Sequence, residues 1–221
     1  AKWSLLLLNA GLLGAFVGIL LQAWWKEVFA IVAVSGLIVY AFELVSIVRA
    51  RKRKALDWGV RYFLTGISLL VPVAFLSLLL SWPTLPMNSF VGQLENLYGF
   101  IALGGVLTFA IIGMLHKIVP FLVWLKRYSP EIGQRKVPSV ADLYSPLLQL
   151  VSYWLLLVAF LGNCVAIVCS NPSLVQVSSA FMLLGLLVFS INLGKMLLHL
   201  RHPRTEVSSS LSGTTPSQSP A

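Results

Sequence analysis

Charge is scarce in this sequence. Only 10% of its 221 residues are Asp, Glu, Lys or Arg, while 58% are hydrophobic, so there is too little polar surface to cover a water-facing globule. A soluble domain is excluded and a bilayer takes the place of water. Cysteine is scarcer still, with two residues. Cys164 and Cys169 are five positions apart, about 500° round a helix, so their thiols point to different sides. Two are too few for a zinc or iron–sulfur cage, and both read as small apolar core residues. Also missing are a phosphate loop, an HExxH pair, a nucleophile elbow and a dinucleotide fingerprint. No catalytic residue is therefore assigned, and whether the chain is an enzyme stays open.

The charge that is present is mostly positive: 16 Lys and Arg against seven acids, a formal +9. Its densest group, Arg49, Arg51, Lys52, Arg53, Lys54 and Arg61, lies between two hydrophobic runs. That placement marks a cytoplasmic loop under the positive-inside rule and argues against a nucleic-acid partner. The alternative for the same residues is a docking patch for anionic lipid or protein.

Hydrophobic runs of about 20 residues or more, enough to cross a bilayer, cover Trp3–Trp25, Val28–Val48, Trp58–Trp82, Leu97–Leu125, Leu143–Cys169 and Ser173–Leu200. The expected fold is all-α, a polytopic transmembrane bundle of about six spans over residues 1–203. A polar, Ser-rich tail over 204–221 is expected to be disordered. Basic loops alternate with the uncharged-to-acidic connection Trp82–Asn96 and the Asn171–Pro172 turn, which places both termini in the cytoplasm of a cell inner (plasma) membrane protein. Ala1 opens directly onto an apolar run without an A-x-A cleavage site, the pattern of a fragment rather than of a cleaved leader.

Local signals refine the spans. The GAFVG step of Gly14 and Gly18 predicts close internal helix packing. Asp57 is placed to N-cap the third span, Pro72 to interrupt it, and Asp142 or Ser139 to cap the fifth. Gly99, Gly104, Gly105 and Gly113 predict a tightly packed fourth helix. Tyr153 and Trp154 read as bundle packing.

That fourth run carries the most costly chemistry. His116 lies ten residues before Lys126, about 15 Å along a helix, which places it near midplane. Lys117 is about 100° further round and cannot share its face. Ionisable groups at such depth cost about 2.5–3.5 kcal/mol on insertion scales and usually face protein or water. Glu43 is a shallower candidate, expected to reach the interface or the basic loop. Lys195 and His199, at i, i+4, share a face near a helix C-terminus, where the dipole favours cations.

The stretch GMLHKIVPFLVWLKRYSPEIG, together with RKRKALDWGVRYFL upstream, resembles segments of bacterial membrane proteins of the haem–copper oxidase subunit I-like class. The resemblance extends over most of Trp3–Leu200. It implies an about twelve-helix bundle of which this chain is the later half. It also implies a respiratory role, with haem or copper as the cofactor and the upstream half or another membrane subunit as partner. Under it His116 is a buried ligand or hydrogen-bonding group and Lys117 meets a propionate or carboxylate. The sequence has no H-H or H-x-H pair, so no further metal ligand carries over and the metal itself stays unknown. The alternative is a cofactor-free transporter component, channel or structural bundle in which Glu43, His116 and Lys117 line a polar path.

Overall fold

A computed structural model describes residues 2–21, 24–50, 56–82, 85–86, 88–131 and 137–200. The expected disordered tail at 204–221 and the basic residues 51–54 lie outside the described residues. Helices form in the order α1 (Lys2–Leu20), α2 (Lys26–Ala50), α3 (Trp58–Ser68), α4 (Leu70–Leu80), α5 (Ser89–Phe100), α6 (Thr108–Tyr128), α7 (Pro146–Val168) and α8 (Pro172–Leu198). A π-helical segment, Ile101–Leu107, joins α5 to α6. There is no strand among the described residues. Six continuous helical stretches are long and apolar enough to cross a membrane, so the fold is the polytopic all-α bundle the composition requires.

The helix boundaries follow local chemistry. Pro72 has no N–H to offer the Ser68 carbonyl, and the third span is interrupted there: α3 ends at Ser68, and α4 begins at Leu70. Asn88 accepts a hydrogen bond from the Val91 N–H at 2.9 Å. That cap lets helix start at Ser89, so much of the expected 82–96 connection is helical and the fourth span is 40 residues long, Ser89–Tyr128. Asn171 caps α8 through the Leu174 N–H, with Pro172 following at N1.

Two expected caps are corrected. Asp57 occupies the N-cap position of α3, as expected, but its side chain makes no cap bond; its carboxylate turns instead to Lys117, 3.6 Å away. Asp142 accepts both the N–H and the hydroxyl of Ser139 at 2.8 Å. Those bonds close the short 3-10 turn Val140–Leu143, whereas α7 starts later, after Ser145.

α1 and α2 pair as a hairpin that meets the remaining helices chiefly along α4. Gly11, Gly14 and Gly18 all face α2, against Ala33, Phe29 and Lys26, the internal packing expected of them. The other helices share a core of Tyr62, Leu76, Ile101, Phe109, Ile112, Leu156, Phe160 and Phe189. Cys164 packs against that core, whereas Cys169 is exposed at the end of α7.

Candidate functional site

α3 and α6 cross with their backbones almost touching. A Cβ on Gly113 would lie 2.7 Å from both the Gly59 carbonyl oxygen and the Phe63 nitrogen, and one on Gly59 would lie 3.2 Å from the His116 Cβ. Only glycine permits this approach, which brings His116 against the first two turns of α3. Of the other glycines singled out, Gly105 abuts Phe160 and Leu69, Gly104 meets only Phe100 of its own stretch, and Gly99 has nothing nearby.

His116 is 3% exposed. Its ring stacks on Tyr62, with centroids 5.1 Å apart, and meets the edge of Phe189 at 5.1 Å. Nδ1 lies 3.0 Å from the Ile112 carbonyl; a carbonyl only accepts, so Nδ1 carries the proton. In the neutral ring this leaves Nε2 as a bare acceptor, and it has no partner. Pro120 sits four residues on and supplies no N–H to the His116 carbonyl. Gly59 and Tyr62 are within about 6 Å of the start of α3 along its axis, so His116 packs against the opening turns of that helix.

Buried polar groups on three other helices, α3, α7 and α8, are hydrogen-bonded in two separate sets. The Ser152 hydroxyl donates to the Gln149 carbonyl at 3.2 Å, so the Tyr62 hydroxyl, 2.6 Å from Ser152, is the donor of that pair. By the same reasoning Thr65 donates to the Arg61 carbonyl and receives the Tyr153 hydroxyl at 2.9 Å. Asn192, three residues beyond Phe189, accepts the Ser145 N–H at 3.1 Å. Gln149, Ser152 and Asn192 are all essentially inaccessible. Two further atoms in this layer lack partners, Gln149 Oε1 and Asn192 Nδ2. Two acceptors and one donor are thus left open in a buried region where each unmade bond costs about 1–3 kcal/mol. Small molecules that both donate and accept, water first among them, match that set.

Ser145 also lines an open depression of about 380 Å³ with Asp142, Tyr144, Lys195 and His199. Ser139 holds the Asp142 carboxyl below the ordinary carboxylate range, and burial, followed by the Asp57 charge, raises Tyr144. The His199 Nδ1 is 3.1 Å from the Tyr128 hydroxyl. Beyond His116, the aromatic and aliphatic core of Phe109, Leu156 and Phe160 closes the network off. At the far side of that core, Asn163 accepts the Ser179 hydroxyl at 3.2 Å.

The residues selected from the sequence therefore separate. His116 is central. Lys117 points to another face, half exposed, in its ion pair with Asp57. Glu43 accepts a hydrogen bond from Ser4 of α1 at 3.3 Å, within the hairpin. Lys195 and His199 share the outer depression. Tyr62, Gln149, Ser152 and Asn192 were not singled out by the sequence, although Gln149 and Ser152 have a helical i, i+3 spacing inside an apolar run. Tyr153 joins the packing, as expected, but also the network.

A haem does not fit these residues. The fixed Nδ1 and open Nε2 of His116 suit an axial ligand, but Nε2 is sealed inside packed side chains, with no space beside it for a porphyrin. Lys117 cannot reach the same site, and no group of three His, Cys, Asp or Glu able to hold a metal occurs among the described residues. No protein-family profile, no curated protein and no solved structure matches this chain.

Proposed function

We propose that this chain is a cofactor-free component of a membrane pathway for protons or small hydrogen-bonding solutes, with His116 at its inner end. The observation that carries the reading is three buried polar atoms without partners, His116 Nε2, Gln149 Oε1 and Asn192 Nδ2, together with the buried Tyr62–Ser152–Gln149 and Ser145–Asn192 hydrogen bonds. Intramembrane polar groups are costly and mark such pathways. The depression lined by Asp142, Tyr144, Lys195 and His199 supplies the entrance, and Ser145 belongs to both parts. His116 exchanges a proton at Nε2 while Nδ1 stays on Ile112. The Phe109–Phe160 layer is the barrier that a second conformation or a partner subunit must open.

The test is flux into proteoliposomes containing the purified chain, read with a pH-sensitive dye and by light scattering under an osmotic step. The wild type is expected to exceed protein-free vesicles, and His116→Leu to return to the protein-free rate. Flux unchanged by that substitution discards the pathway. The oxidase-like alternative, favoured by the open Nε2, makes a different demand: a stoichiometric Soret band that His116→Ala removes. A colourless, metal-free protein under oxidising and reducing conditions sinks it.

A further inference from the structure

The hairpin and the α3–α4 stretch diverge around a crevice of about 490 Å³, within the about 300–1,000 Å³ range of small-molecule sites. Its walls are Leu37, Ala41 and Val45 of α2 and Ile67, Ala74 and Leu78 across from them. Arg49, in the last turn of α2, lines one end. We propose that this crevice binds an anionic phospholipid, one acyl chain between α2 and α4 and the headgroup phosphate on Arg49.

Charge complementarity selects this occupant. No carboxylate of the described residues lies within ion-pair distance of Arg49; the ion pair they form is between Lys117 and Asp57. In sequence Arg49 leads into Arg51, Lys52, Arg53 and Lys54, an excess of cations that attracts anionic headgroups at a membrane surface. The site is therefore apolar along its length and cationic at one end, the mirror of an anionic amphiphile. The guanidinium fork matches phosphate geometry. A flexible acyl chain laid in the crevice touches two walls at once.

The experiment uses the full chain in vesicles of equal phosphatidylglycerol and phosphatidylcholine, extracted in mild detergent, with retained lipid quantified by mass. The wild type is expected to retain phosphatidylglycerol preferentially. Arg49→Gln is expected to lower that preference about fivefold, the effect of one basic residue near an anionic surface, and Arg49→Lys to restore most of it. Ala74→Trp, which fills the crevice, is expected to lower retention of both lipids; Ala41→Phe does the same from the opposite wall should the first variant not fold. Retention in the bulk ratio, or a preference that survives Arg49→Gln, overturns the site. Retention untouched by both crevice-filling variants means annular lipid only, and a dimer that excludes lipid assigns the crevice to a second copy; both outcomes also overturn it.

Discussion

The α1–α2 hairpin and the helices from α3 onward live in the same solvent but hold together differently. In the hairpin the buried residues are small: Ser4, Gly11 and Gly18 on α1 and Gly36 on α2. Its cohesion is backbone-to-backbone van der Waals contact, which lipid does not compete with. The remaining helices bury Tyr62, Phe109, Phe160 and Phe189 as interlocking rings and add hydrogen bonds between helices. Lipid tails are as apolar as leucine, so apolar burial alone does not favour one helix arrangement over another. What distinguishes the second region is directional contact, aromatic and polar, and that is where the candidate site lies. The hairpin, joined chiefly along α4, is free to leave a crevice beside it.

The most severe way to break this comparison is to overfill each region's tightest crossing. Gly113→Leu drives a Cβ against backbone atoms of Gly59 and Phe63 and is expected to cost about 3 kcal/mol or more, the upper end for overpacking. In a denaturing-detergent titration followed by circular dichroism, its main transition should shift strongly or vanish. Gly11→Leu meets Ala33 just as closely, yet should disturb only the hairpin, seen as altered emission from Trp3, Trp24 and Trp25 in a background lacking the other tryptophans. Equal loss of the main transition in both variants would mean the two regions are one cooperative unit.

A smaller effect sharpens the polar side. Tyr62→Phe removes the bond to Ser152 and is expected to destabilise by about 1 kcal/mol. Combined with Ser152→Ala it should be sub-additive, because the second substitution has lost its partner already. Simple additivity in that cycle argues against the network. Weaker again is the Lys117–Asp57 pair, with side chains 51% and 42% exposed; Lys117→Met should cost under about 1 kcal/mol, and salt should erase the difference.

The smallest prediction concerns the outer turn. Ser139 depresses the Asp142 carboxyl, so its contribution is present above the unfolded value, about 3.9, and is lost as pH falls through the lower folded one. Amide exchange over residues 139–143 should therefore accelerate at acid pH, and Asp142→Asn should flatten that dependence. A turn whose exchange ignores the substitution does not depend on this carboxylate.

Much of the architecture was legible from the chain. Six long apolar runs leave no choice but helices, because no other open segment satisfies its backbone in lipid. Pro72, Asn171 and the GAFVG step declared an interruption, a turn and a close approach by local sterics that need no tertiary knowledge. His116 stood out as a costly group. Its surroundings did not. Gln149, Ser152 and Asn192 are single polar residues within apolar runs, and nothing local distinguishes one facing a neighbouring helix from one facing lipid. Asp57 and Ser139 looked like caps of α3 and α7 because capping is a short-range preference; the Asp57 carboxylate went to Lys117, whose position depends on how α6 packs, whereas Ser139 caps a separate short turn ahead of α7.

What the sequence determined by itself, then, is the solvent, the helical content and the number of crossings, since these follow from the cost of exposing peptide groups and charges to hydrocarbon. The tertiary structure alone decided which polar atoms meet. A crossing narrow enough for Gly59 and Gly113 to touch sets the register of α3 on α6 and so lays Tyr62 over His116. A one-residue rotation of either helix, about 100°, would point the same side chains at lipid.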